Sequence, residues 1–202
     1  MGLVVEGETE YGALPALLSR LNVRCTAPSC LHGQPVELPA RALARDHLLS
    51  YVIVQLRKKP DKVLVVLDAE GRTHSLREFA ATLKRELQEQ VRKHEGAKLA
   101  ERVTVVFCNR RFENWLLSDP GGICRSTYIE RDLSGRVKCH ADERDALALI
   151  KSVFRKGTAY RKAVHGPRLA ELVRVEDKNV RQCSGSLRKF VRLVLGARRV
   201  GP

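Results

Sequence analysis

No stretch of this chain is apolar for long enough to cross a membrane. Its longest obvious run, Val63 to Leu67, falls far short of the ~18–20 residues of a spanning helix. A basic then apolar leader is missing too. Glu6, Glu8 and Glu10 stand there instead, which argues for a cytoplasmic rather than a secreted chain. No Gly-x-x-x-x-Gly-Lys-Ser/Thr loop occurs, so ATP binding through a P-loop is excluded. Ser184-Gly185-Ser186 lacks the flanking strand of a nucleophile elbow, and no serine or cysteine nucleophile constellation is evident. There is no internal repeat and no low-complexity segment.

Cysteine is present without a framework. Cys25, Cys30, Cys108, Cys124, Cys139 and Cys183 are scattered, as free thiols in a reducing compartment would be. Cys25, Cys30 and His32 sit at the edge of zinc-ligand spacing, with no second ligand pair nearby. The single tryptophan, Trp115, lies among Phe112, Leu116 and Leu117, a core setting rather than a base-stacking one.

What the chain does have is ordinary globular stock and an uneven charge. It is 202 residues long, 44% hydrophobic and 30% charged. A chain of that length buries roughly 70% of its unfolded surface and folds without metal or disulfide. The formal charge is +14. Residues 1–70 carry 8 basic and 8 acidic side chains, residues 71–150 carry 15 and 12, and residues 151–202 carry 14 and 3. The excess therefore lies in the last quarter, and a polyanion such as nucleic acid is its natural partner.

The hydrophobic pattern alternates strand and helix. Leu3-Val4-Val5 predicts a strand. Thr9 is placed to cap a helix through Ala13, Leu14, Leu17, Leu18 and Leu21, with a local irregularity at Pro15. Residues 22–37 read as loop, and a helix follows over 39–58. Val63 to Leu67, ending at Asp68, and Arg102 to Cys108 read as buried strands of a parallel sheet. Between them Leu76, Phe79, Leu83, Leu87 and Val91 recur at helical spacing. A short helix is expected over 111–118, loop or hairpin over 120–141, and helices over 142–154, 167–173 and 185–196. This order predicts an α/β fold with a mainly parallel sheet flanked by helices. Residues 1–119 form the expected core, and 120–202 a basic, mostly helical extension packed on it.

Ligand sites in open parallel sheets lie beyond the carboxyl ends of the strands. Glu6 ends the first strand and Asp68 the second. Glu70 stands two residues further on, and Glu10 falls in the first turn of the helix after Glu6. Neighbouring strands are ~4.8 Å apart, so Glu6 and Asp68 share a site if their strands pair. Converging carboxylates repel, and a hard divalent cation relieves that repulsion. Mg²⁺ (or Mn²⁺) suits a few carboxylates, water and a phosphate oxygen, a combination that promotes phosphodiester hydrolysis. Gly7 and Gly71 leave room for close approach. His74 reads as a polar residue at a helix start. Arg188, Lys189 and Arg192 recur within about one helical turn, where they can grip a phosphate backbone or form a solvated face.

These motifs resemble a known family. Val5-Glu6-Gly7-Glu8-Thr9-Glu10 is similar to the opening motif of Toprim domains, notably the OLD-nuclease type with its second glutamate. Val65 to Gly71, with Asp68-Ala69-Glu70, resembles the Toprim acidic pair, in which Asp-x-Asp is usual. Phe112-Glu113-Asn114-Trp115-Leu116-Leu117-Ser118-Asp119, Tyr160-Arg161-Lys162 and Cys183 to Phe190 resemble motifs of small stand-alone Toprim-like proteins encoded beside ATPases in bacterial defence loci. The resemblance spans about residues 3–195.

It implies a Toprim-like (Rossmann-like) fold and a nuclease serving anti-phage defence. Glu6 would be a metal ligand or general acid/base, with Glu10, Asp68 and Glu70 completing the metal site. Glu113 would be a further ligand or a ligand's partner, and Lys162 would face the scissile phosphate. Arg161 and Lys162 would contact nucleic acid, joined by Arg188, Lys189 and Arg192 on the strength of their helical spacing alone. DNA is the first expected substrate and RNA of tRNA type the second. An ATPase protein and a second copy of the chain are the implied partners, and no membrane is. A catalytically silent module that binds nucleic acid or an ATPase is the rival reading.

Overall fold

The computed structural model describes residues 1–32, 42–69, 75–135, 137 and 140–196. Glu70, Gly71, His74 and Cys139 lie outside the described residues, as do parts of the expected loop over 22–37 and of the helix over 39–58.

The chain folds as β1 (Gly2–Val5), α1 (Glu8–Arg20), β2 (Ser29–Cys30), α2 (Ala42–Arg57), β3 (Val63–Asp68), α3 (Leu76–Glu95), α4 (Ala97–Ala100) and β4 (Val103–Cys108). Then come α5 (Glu113–Leu116), α6 (Pro120–Ile123), a 3₁₀ turn (Ala141–Glu143), α7 (Ala146–Val153), α8 (Lys162–Ala170), α9 (Lys178–Gln182) and α10 (Gly185–Gly196). The four strands form one parallel sheet in the order β2-β1-β3-β4. This is the expected α/β architecture, a parallel sheet flanked by helices.

Residue parity along the strands decides the layers. Leu3, Val5, Leu64, Val66, Val106 and Cys108 face a core built with α1, α8 and α10. Val4, Val63, Val65, Leu67, Val103, Val105 and Phe107 face α2 and α3. Both faces are buried, which explains the apolar runs without alternation. Strand order sets the site. From β1 the chain crosses to β2 on one side, and from β3 it crosses to β4 on the other. The crevice between β1 and β3 is therefore the switch point where such sheets bind ligands.

Several expectations need correction. α1 is capped by Gly7 in extended backbone (φ −129°), with no side-chain cap. Thr9 is buried in the first turn instead, and the helix continues through Pro15. Within the expected loop, Ser29 and Cys30 pair with β1, a strand too short to show periodicity. Asp119-Pro120 starts α6 rather than a loop: Asp119 caps it by accepting from the Gly122 N–H, and Pro120 takes the position where a missing N–H costs nothing. No hairpin forms among the described residues of 120–141. The helix expected at 167–173 begins at Lys162, and Pro167 lies inside it. α9 was not foreseen, because five residues carry no usable period.

No helix among the described residues is long and apolar enough to cross a membrane. Cys25, Cys30, Cys108, Cys124 and Cys183 are free thiols.

Candidate functional site

Beyond the carboxyl ends of β1 and β3 lies a cavity of about 480 Å³, lined by Glu6, Glu8, Glu10, His32, Asp68, Glu113 and Lys162 among others. β1 and β3 pair with Val5 beside Val66, so the residues that follow them emerge side by side. The Glu6 carboxylate accepts a hydrogen bond from the Asp68 backbone N–H at 3.0 Å. Asp68 shares the parity of Leu64 and Val66 and so belongs to the α1–α8 side.

The remaining groups arrive on helices. Glu10 is 4% exposed in the first turn of α1. A Cβ on Gly7 would lie 2.8 Å from Glu10 Oε2, so only glycine leaves that carboxylate its place. Glu113, 1% exposed, opens α5. Lys162 opens α8, and its Nζ lies 3.8 Å from Glu113 Oε1. α8 comes this close because glycine lies at its contact with α1. A Cβ on Gly166 would meet Thr9 Cγ2 at 2.4 Å, and one on Gly12 would meet Pro167 Cγ at 2.6 Å.

The crowding is electrostatically costly. Burial first, then the charges of Glu113 and Glu6, push Glu10 up to about 7, and Lys162 pulls the other way. Asp68 is held well above the usual carboxylate range by burial and by Glu10, Glu6 and Glu113. Lys162 alone does not balance the five acids that line the cavity. Tyr160 donates its hydroxyl to Glu113 Oε1 at 3.4 Å. Its own proton is held more tightly than usual by burial and by Glu113, so it stays a donor. The buried His165 accepts from the Arg161 N–H at 2.9 Å through Nδ1, fixing the entry to α8 beside Lys162. Burial and Arg161 lower its proton affinity.

The hard oxygen donors, their number and the raised proton affinities of Glu10 and Asp68 fit a divalent cation that takes carboxylates. The described side chains do not form a ready-made cage: no group of three or more His, Cys, Asp or Glu is placed to hold a metal. Glu6, Glu10, Asp68 and Glu113 are the residues that would hold one after side-chain rotation within the cavity. Cys25, Cys30 and His32 form no zinc site among the described residues, and burial raises both thiols.

The structure thus brings Glu6, Glu10, Asp68, Glu113 and Lys162 together. Arg161 is exposed at the start of α8. Arg188 and Arg192 line a separate groove, and Lys189 is exposed without lining it. Other residues of the Glu113 motif are clamps. Asn114 donates to the Ala141 and Arg144 carbonyls at 2.6 and 2.9 Å. The Trp115 indole donates to Ser186 Oγ at 2.7 Å. Asp119, 2% exposed, accepts from the Arg174 side chain at 2.8 and 2.6 Å. Burial works to raise Asp119, but the Arg174 and Gly122 hydrogen bonds outweigh it and lower the carboxyl. His32, weighed in the sequence as a zinc ligand with Cys25 and Cys30, lines the carboxylate cavity instead. Tyr160 had no role assigned from the sequence, where the only available hint was its place beside Arg161-Lys162.

Residues 5–194 match the family described as a domain of unknown function, DUF4276, and the chain belongs to that family. Neither a curated protein nor a solved structure matches it.

Proposed function

We propose that this protein is a Mg²⁺-dependent nuclease that hydrolyses phosphodiester bonds, with DNA its first substrate and RNA its second. The observation that carries this reading is the convergence of Glu6, Glu10, Asp68 and Glu113 with Lys162 round one cavity at the sheet's switch point. When bound, Mg²⁺ (or Mn²⁺) supplies charge to a phosphate oxygen and a water activated for attack. The chain's own residues do the rest. Glu10, Asp68 and Glu113 would hold the cation through their carboxylate oxygens, and Glu10 and Asp68, whose proton affinities are raised, would release protons as they did so. Glu6, tied to the Asp68 backbone, holds that end of the site and is placed to accept a proton from the attacking water. Lys162, 45% exposed at the rim, offers its ammonium to charge building on the phosphate. Glu70 joins the set on sequence grounds alone.

The Toprim resemblance supports the same reading. It also suggests an effector in anti-phage defence working with an ATPase partner. The test is digestion of duplex DNA, single-stranded RNA and tRNA with Mg²⁺ or Mn²⁺. Cleavage that Glu6→Ala, Asp68→Ala and EDTA each abolish is the expected result. Cleavage confined to RNA moves the substrate to the second choice. Cleavage that persists in EDTA rejects the metal mechanism. Absence of cleavage and of metal binding leaves the silent module.

A further inference from the structure

On the α9–α10 side of the molecule lies a second concavity, a groove of about 520 Å³. Lys178, Arg181 and Gln182 of α9 form one wall, and Arg188, Val191, Arg192 and Leu195 of α10 form the other. Positions 188, 191, 192 and 195 fall on one helical stripe, so the groove follows the axis of α10. Val191 is buried and Leu195 half-buried, which makes the floor apolar between cationic walls.

Four cations thus face one concavity. Among the described residues none of them has a carboxylate within 4.0 Å. Like charges brought together are unfavourable until an anion enters. The anion favoured here is a run of phosphates. Guanidinium groups bind phosphate through paired N–H donors. Arg188 and Arg192 stand ~6 Å apart along the helix axis, close to the interval between successive phosphates of one strand. The apolar floor offers a seat for sugars.

The groove is also built onto the body that carries the acidic site. Ser186 at the start of α10 accepts from the Asn109 N–H beyond β4 at 3.1 Å, and from Trp115 of the helix that bears Glu113. An acidic cavity repels nucleic acid, so a substrate needs an anchor elsewhere on the same rigid body.

We propose that the α9–α10 groove binds the phosphate backbone of the nucleic acid, through Lys178, Arg181, Arg188 and Arg192, and holds the strand outside the acidic cavity. This rests on the nuclease reading for the identity of the polyanion, but its test requires no turnover. The probe is a fluorescein-labelled 24-mer DNA duplex, with an RNA duplex alongside, titrated in EDTA by anisotropy across a salt series. The groove variant carries Lys178→Gln, Arg181→Gln, Arg188→Gln and Arg192→Gln. A charge-matched control carries Arg77→Gln, Arg85→Gln, Lys93→Gln and Lys98→Gln on α3 and α4. Thermal melts establish that both are folded.

The groove variant should flatten the plot of log K against log salt by about 3.6, since each of the four lost contacts removes ~0.9 from the slope. It should bind at least ~30-fold more weakly at low salt, and the control should change by less than about threefold. Equal losses in both variants overturn the proposal, because net charge alone then accounts for binding. Failure of the wild type to bind either duplex also overturns it. Groove-dependent binding of poly-glutamate in that case marks an acidic protein partner instead. Loss of divalent-cation binding at the carboxylates would sink the nuclease reading without touching this result.

Discussion

The side-chain carboxylate of Glu6 lies against the backbone of Asp68, accepting its N–H at 3.0 Å across 62 residues of sequence. The contact exists because β1 and β3 pair in parallel and end together. Glu10 and Glu113 are then buried against the same spot by α1 and α5. The consequences are measurable.

Glu10 titrates at about 7 in the fold, against 4.5 when unperturbed, because it is buried beside other acids. The native state therefore holds a proton that the unfolded chain has released between those values, and stability falls as pH rises through that window. The loss is about 3 kcal/mol at most, and the shift of Asp68 acts in the same direction. Thermal melts in EDTA should show the melting temperature dropping between pH 5 and 7.5. Glu10→Gln should flatten that drop and raise stability at pH 8, while abolishing activity.

Lys162 is the single cation lining the carboxylate cavity among the described residues. Lys162→Gln should lower kcat by about 10²–10³-fold, the scale of losing one group that meets developing charge. It should leave Mn²⁺ affinity equal or higher, since a competing positive charge is gone. Calorimetry beside steady-state kinetics separates the two effects, and a parallel fall in both would assign Lys162 to folding of the site.

Tyr160 orients Glu113 through one hydrogen bond. Tyr160→Phe should weaken Mn²⁺ binding by about 2–10-fold, in line with ~1 kcal/mol for such a bond. The fold should persist, because the ring packing against Phe154 and His165 is retained. An affinity identical to wild type would remove Tyr160 from any positioning role.

Asp119 is an acid of a different kind. It joins α6 to Arg174 and caps the helix. Asp119→Ala should cost about 1–3 kcal/mol of stability and leave Mn²⁺ affinity unchanged once the protein is folded. Denaturant titration and calorimetry read the two quantities separately.

The sequence carried the sheet and two of its acids well. Glu6 and Asp68 end apolar runs, and a parallel sheet buries both faces of such runs, so their position at the strand ends was legible. Their pairing required β1 to neighbour β3, which strand order alone decides. Glu113 was legible only through resemblance, since an acid opening a four-residue helix looks like any surface acid. The approach of Lys162 depends on Gly12 and Gly166 admitting α8 to α1, a tertiary contact with no local signature. Asn114 and Asp119 stand in the same motif as Glu113 and serve as clamps. Lys178 and Arg181 were invisible because α9 is too short for a period, so only half of the basic groove could be read.

The most direct test of the account is Mn²⁺ titration by calorimetry at pH 6.5 in two buffers of different ionisation enthalpy. Saturable binding should occur with net proton release, as Glu10 and Asp68 deprotonate to bind. It should vanish in Asp68→Ala and weaken in Glu10→Gln. No binding, or binding that both variants retain unchanged, would contradict the claim that these carboxylates gather to hold a cation.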